Sequence, residues 1–167
     1  FQAMRVEVIG NGRPLLMIPG LNSSAEVWKE TCMALQPDVQ CHIVQLPGFA
    51  GQPPVQDAPW VDSMRDRLLA YVNHAGLKHP DLIGHSLGGV PGLELSIKAP
   101  DRFAHMIIVD SLPFLGGARN PTATADSVLP LAKGLRDGML AADEASYLTQ
   151  IRAGVANLSN QPGRIPA

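Results

Sequence analysis

Short apolar runs alternate with segments of helical spacing along the first two thirds of this chain, and this alternation restricts the fold more than any other feature. The apolar runs at Met4–Ile9, Leu15–Ile18 and Val39–Leu46 are predicted strands, and the second is apolar throughout, as in a strand buried on both faces. A capping-box pattern at Ser23-Ser24-Ala25-Glu26 predicts a helix through about Leu35, and helical spacing of apolar residues marks a second helix over 61–75. The sequence therefore predicts an α/β fold, with a mostly parallel sheet covered by helices on both faces.

The most informative motif is Gly84-His85-Ser86-Leu87-Gly88, a G-x-S-x-G pattern that follows a predicted strand and precedes a predicted helix. In this context the serine occupies a strained turn whose crowding the flanking glycines relieve. The turn raises the hydroxyl above the carboxyl edge of the sheet, where open α/β sheets bind their ligands. Ser86 is thus the predicted nucleophile, and the backbone N–H of Leu87 is a predicted oxyanion donor at a helix N-terminus.

The pattern changes after the last predicted strand, Phe103–Val109. Beyond Leu112 the apolar residues keep helical spacing, and no strand-like run appears. We therefore expect two parts: an α/β part over residues 1–113 and a helical part over residues 114–167.

Charge and cysteine content limit the classes of partner. The net charge is −2 and no basic stripe is present, so a nucleic-acid partner is not expected. No apolar run is long enough to span a membrane, and the first residues do not resemble a secretory signal, so the cytoplasm is the expected compartment. Cys32 and Cys41 are expected to be buried free thiols, and no metal site or cofactor is predicted.

The motifs together resemble those of the α/β-hydrolase superfamily, over most of residues 4–113. The resemblance implies that residues 1–113 are the N-terminal portion of the α/β-hydrolase core and that residues 114–167 are a helical cap or lid segment. Pro19-Gly20-Leu21 stands where many members carry His-Gly-X, so the resemblance implies that the N–H of Leu21 is the second oxyanion donor. Pro19 departs from that pattern but leaves the backbone donor available. Leu46-Pro47-Gly48-Phe49 resembles a second family segment, and Trp28 matches a core aromatic of the family.

A serine needs a base to take its proton and an acid to orient that base. In the family the order along the chain is serine, acid, histidine, and His105 alone among the histidines follows Ser86. Because His105 lies in a predicted strand, we assign it no catalytic role, and the same holds for the other histidines. Asp110, at the end of that strand, is a possible acid. The remaining histidines are His42, His74, His79 and His85.

The family's usual acid and base follow strands that these residues do not supply. We therefore expect further C-terminal polypeptide to pair with Phe103–Val109, to complete the sheet and to bring the catalytic histidine. The apolar composition of that strand, without Lys, Glu or Pro, supports the expectation that it is not an exposed edge.

The resemblance implies a serine hydrolase that cleaves an ester, thioester or related acyl bond of a small to medium apolar substrate through an acyl-enzyme on Ser86. A serine at this position argues against the branches that use aspartate, such as epoxide hydrolases. A carbon–carbon bond hydrolase and a haloperoxidase-like enzyme remain alternatives on the same fold. A non-catalytic ligand-binding receptor, or pseudoenzyme, is the alternative of another class.

Overall fold

The structure is a computed structural model that describes residues 3–57 and 59–158. The chain divides into two compact units, Phe1–Pro113 and Phe114–Ala167. Among the described residues, no helix is both long enough and apolar enough to cross a membrane.

The first unit is built on a five-stranded sheet with the order β1-β3-β2-β4-β5. β1 is antiparallel to β3, and the other three pairings are parallel, so the predicted, mostly parallel sheet is confirmed. The strands are β1 (Arg5–Ile9), β2 (Arg13–Ile18), β3 (Val39–Gln45), β4 (Asp81–His85) and β5 (Met106–Val109).

Helices connect these strands as the spacing predicted. They are α1 (Lys29–Ala34), α2 (Trp60–His74) and α3 (Gly89–Lys98). A 3-10 turn at Ala25–Trp28 precedes α1, and the Ser24 side chain caps it by accepting a hydrogen bond from the Glu26 N–H. Pro91 lies in the first turn of α3, where a missing amide hydrogen removes no helical bond.

Alternate side chains of β2 enter two separate apolar layers, which is why its sequence is apolar throughout. Leu16 and Ile18 pack with residues of α2 and α3 on one face of the sheet. Leu15 and Met17 pack on the other face, with Trp28 before α1. Trp28 is a buried core residue, as its family position implied.

Ion pairs join α2 to α3, the helix that follows Ser86. Lys98 Nζ lies 2.7 Å from Asp66 Oδ1, and Arg65 Nη1 lies 3.5 Å from Glu94 Oε2. Hydrogen bonds from Arg65 first, and then from Lys98, lower the pKa of Asp66 to about 2. These side chains are partly exposed, so each pair contributes only modestly to stability.

The structure corrects two expectations about the first unit. The last strand begins at Met106 rather than Phe103, and Ile107 and Val109 remain 55% and 38% exposed in the described chain, so it is not buried on both faces. The expectation of free thiols is also wrong, because Cys32 and Cys41 form a disulfide with Cα atoms 6.1 Å apart.

The second unit is helical. It contains α4 (Leu115–Arg119), α5 (Ala125–Ala141) and α6 (Glu144–Leu158). Thr124 and Ser127 form a reciprocal capping box that begins α5. No strand occurs in its described residues, 114–158, in agreement with the sequence pattern.

Candidate active site

Ser86 lies at an abrupt change from strand to helix. β4 ends at His85, residues Ser86–Gly88 form a 3-10 turn, and α3 begins at Gly89. The φ angle of Ser86 is +50°, in the left-handed region that non-glycine residues seldom adopt. Such strain is concentrated at functional sites. Ser86 therefore combines a left-handed backbone with a position between β4 and α3.

The two glycines of the motif allow the chain to pack at this turn. A Cβ added to Gly84 would lie 2.7 Å from the Gly88 carbonyl oxygen and 2.8 Å from the Gly89 Cα. A Cβ on Gly88 would lie 2.7 Å from the Ile18 carbonyl oxygen and closer still to that of Pro19. Because backbone atoms cannot move aside cheaply, both positions require glycine.

The loop after β2 packs directly against this turn. A Cβ on Gly20 would lie 2.9 Å from His85 Nδ1 and 3.2 Å from Ser86 Cβ. Leu21 follows Gly20, and Leu87 follows Ser86, so the two predicted oxyanion donors belong to backbone segments that meet here. The Leu21 side chain is 54% exposed.

Asp110 occupies the corresponding position on the neighbouring strand. The register of β4 and β5 ends with His85 opposite Val109, so Ser86 and Asp110 leave the sheet side by side. Asp110 also has a left-handed φ angle, +46°, and its side chain is exposed. The structure thus brings the possible acid to the same edge of the sheet as Ser86.

The histidines lie elsewhere or have other partners. His105 Nδ1 lies 2.8 Å from Asp81 Oδ1, at the amino end of β4. Asp81 precedes Ser86 by five residues, so at a strand rise of about 3.3 Å per residue this contact lies about 16 Å from Ser86. His42 is buried in β3 and contacts Tyr71 Oη at 2.7 Å, and burial lowers its pKa. His74 ends α2, and His79 precedes the amino end of β4. His85 faces Gly20, as described above.

Comparison with protein families agrees with this geometry. A family model described as "Alpha/beta hydrolase family" matches residues 15–163, which is most of the chain. The chain belongs to the alpha/beta hydrolase family. The predicted superfamily and fold class are therefore confirmed.

Curated relatives of the chain include esterases. The chain is 29% identical over 114 residues to a pimeloyl-[acyl-carrier protein] methyl ester esterase of Vibrio atlanticus, covering 68% of this chain and 42% of that protein. It is also 29% identical over 130 residues to the esterase of the same name from Nitrosomonas europaea, covering 77% of this chain and 50% of that protein. The chain thus spans two fifths to half of the length of these relatives.

A solved structure supports the fold. A hydrolase from Pseudomonas aeruginosa superposes with a TM-score of 0.77 at 15% identity, over 92% of this chain and 54% of that one. At this level of identity the likeness concerns the fold alone.

Proposed function

We propose that the protein is an ester hydrolase in which Ser86 is the nucleophile. The observation that carries the proposal is the left-handed backbone of Ser86 between β4 and α3, with glycine contacts at Gly84 and Gly88 that leave no room for a side chain. A strained strand-to-helix turn of this kind exposes a serine hydroxyl at the top of an α/β sheet. Family membership and the esterase names of the relatives support the same reaction class.

The proposed chemistry is acyl transfer in two steps. A base removes the Ser86 proton as its Oγ attacks the acyl carbon, and the resulting oxyanion accepts hydrogen bonds from the N–H groups of Leu21 and Leu87. The alcohol leaves with the proton, and an acyl-enzyme remains on Ser86. Water then attacks the acyl-enzyme, releases the acid and restores the hydroxyl.

The base, in this proposal, is a histidine on polypeptide that pairs with β5. His105 cannot serve, because its ring contacts Asp81 at the opposite end of β4. β5 leaves Ile107 and Val109 exposed at the edge of the described sheet, and an apolar edge strand without protecting charges is a template for another strand. We propose that this further strand continues the parallel sheet.

The proposed substrate is an ester of a small to medium apolar acyl chain. The relatives named above are methyl ester esterases, which makes a methyl ester a suitable first substrate to test. We assign the second unit, which is helical in its described residues 114–158, the role of a cap that restricts substrate size.

The test uses the full-length protein, a fluorophosphonate probe and short p-nitrophenyl esters. We expect Ser86→Ala to abolish labelling and to lower kcat by at least about 10³-fold, because the nucleophile is removed while binding and the oxyanion donors remain. The control is Ser96→Ala, which removes an exposed hydroxyl bonded only to its own helix. Turnover that survives Ser86→Ala would contradict the proposal, and binding of esters without turnover would favour a non-catalytic receptor.

Asp110→Asn in the same assay decides whether Asp110 is the acid. Loss of the acid in a serine–histidine–aspartate triad lowers kcat by about 10⁴-fold. We propose that the acid, like the base, lies on the further polypeptide that pairs with β5, so Asp110→Asn should retain most of the activity. A loss as large as that of a triad acid would instead assign the role to Asp110.

A further inference from the structure

Gln45 is a buried polar residue at the carboxyl edge of the sheet. It is the last residue of β3, which pairs with β2, and it is only 6% exposed. A buried side-chain amide is costly unless its oxygen and nitrogen both find partners. The partners of Gln45 therefore show what this side chain holds in place.

Both partners are backbone groups of loops at the carboxyl edge. Gln45 Oε1 accepts a hydrogen bond from the Ala25 N–H at 2.7 Å. Gln45 Nε2 donates to the Phe49 carbonyl oxygen at 3.2 Å. One side chain thus joins the segment after β2 to the segment after β3.

The segment after β2 contains Leu21, the proposed oxyanion donor. This loop runs from Pro19 to Ser24 and is held at its beginning by β2 and by the contact of Gly20 with the Ser86 turn. The Ser23 N–H donates to the Gly20 carbonyl oxygen at 3.3 Å. At its other end, the described hydrogen bond that ties the loop to the sheet is the one that Ala25 donates to Gln45.

The segment after β3 provides a rigid anchor. The Phe49 carbonyl oxygen also accepts a hydrogen bond from the Gln52 N–H at 3.0 Å. The Phe49 ring packs edge-to-face on Trp60, the first residue of α2, with centroids 6.5 Å apart. Gln45 is therefore fixed on one side by a packed segment and can position the loop on the other side.

We propose that Gln45 is a positioning residue, whose amide holds the loop after β2 so that the Leu21 N–H faces the oxyanion formed at Ser86. The inference rests on the proposed function of Ser86 and Leu21. The side-chain amide of Gln45 suits both partners, because its oxygen accepts from an N–H and its nitrogen donates to a carbonyl oxygen. A carboxylate satisfies the first partner and repels the second.

The test is Gln45→Glu in the full-length protein, with p-nitrophenyl butyrate as the substrate. At pH 8 we expect kcat to fall about tenfold with little change in KM, less than the ~10²–10³-fold loss when an oxyanion donor is removed outright. As the pH is lowered, the introduced carboxyl protonates and can donate to the Phe49 carbonyl oxygen. The ratio of variant to wild-type kcat should then rise.

A second variant, Gln45→Met, keeps a similar volume and removes both hydrogen bonds. It should lose at least as much activity as Gln45→Glu at pH 8, and its ratio to the wild type should not depend on pH. The control is Gln36→Glu, since Gln36 Nε2 donates to the Val39 carbonyl oxygen at 2.8 Å at the amino end of β3. That variant loses a comparable hydrogen bond and should keep the wild-type kcat below its unfolding temperature.

The outcomes separate this inference from the proposed function. If either Gln45 variant folds, labels at Ser86 and retains the wild-type kcat, the positioning role is overturned and the proposed function stands. If the wild-type protein is not labelled at Ser86, both are overturned. A tenfold loss that reverses at low pH in Gln45→Glu alone supports the positioning role, provided that chemical denaturation shows the variant fully folded at both pH values, since protonation of a buried carboxylate also restores stability.

Discussion

The two ends of the parallel sheet are built in different ways. At the carboxyl end, Ser86 and Asp110 leave adjacent strands in the left-handed conformation, with Gly20 packed against the first of them. At the amino end, the buried Asp81 carboxylate pairs with Arg13 Nε at 2.6 Å and with His105 Nδ1 at 2.8 Å. The carboxyl end therefore contains strained backbone, whereas at the amino end the carboxylate of Asp81 is paired with two side chains.

This difference shows that register decides what a pair of residues can do. His105 and Asp81 have the residue types of a catalytic dyad and are within hydrogen-bond distance. The parallel register of β4 and β5 nevertheless places them at the amino end, away from Ser86. At that end, Asp81 ties together the beginnings of β2, β4 and the segment before β5. We infer a structural role for the pair and a chemical role for the strained end.

The largest expected effect comes from breaking the strained end with Gly88→Ala. The added methyl group meets the carbonyl oxygens of Ile18 and Pro19, so either β2 or the Ser86 turn must shift. We expect the free energy of unfolding to fall by roughly 3 kcal/mol, the upper part of the range for overpacking, and labelling at Ser86 to be lost. Chemical denaturation and probe labelling measure the two effects.

The matched control is Gly134→Ala in α5. A Cβ there meets no atom within 4 Å, and the residue is exposed on a helix. Alanine should stabilise that helix by up to about 1 kcal/mol and leave labelling unchanged. If Gly88→Ala were as harmless as this control, the packing argument for the turn would be wrong.

The next effect comes from breaking the amino end with Asp81→Asn. The substitution keeps the shape of the Asp81 side chain and removes the negative charge with which Arg13 and His105 both pair. Since both partners are largely exposed, we expect a loss of about 1–2 kcal/mol in the free energy of unfolding, as for hydrogen bonds to a charged group.

Activity and labelling should stay at the wild-type level in Asp81→Asn, measured well below the unfolding temperature. The reverse result, a stable variant with a large loss of kcat, would assign the His105–Asp81 pair to the chemistry. The amino end of the sheet could then no longer be assigned a purely structural role.

The fold was predictable because its signals are local. Apolar runs and helical spacing marked all five strands and every described helix except the short α4, and the G-x-S-x-G pattern marked the position of the turn at Ser86. The start of β5 was misplaced because Phe103 is buried without belonging to the strand, so its apolar character carried no information on strand pairing.

Features that depend on tertiary contact were not predictable. Cys32 and Cys41 were each recognisable as buried residues, but only the packing of α1 against β3 shows that they face one another. No role was predicted for Gln45 from the sequence, and no spacing rule indicates its partners Ala25 and Phe49. Side chains that join two loops leave no periodic signal in a sequence.

The smallest effect concerns the middle of the sheet, between the two ends. His42 on β3 contacts Tyr71 Oη at 2.7 Å and Gln40 Oε1 at 3.0 Å. Burial lowers the pKa of His42, because the imidazolium would lose its hydration. Near pH 6.5 the unfolded chain therefore binds a proton at His42, whereas the folded chain binds it only at a lower pH. The free energy of unfolding consequently falls as the pH drops through this value.

Urea unfolding at pH 8 and pH 6 measures this contribution. A histidine that stays neutral when folded costs at most about 0.8 kcal/mol at pH 6, the free energy of protonating an unperturbed imidazole in the unfolded chain. In His42→Gln, which cannot titrate, the loss between the two pH values should be smaller by up to this amount. An equal loss in variant and wild type would place the acid sensitivity at one of the two ends of the sheet instead of in its buried middle.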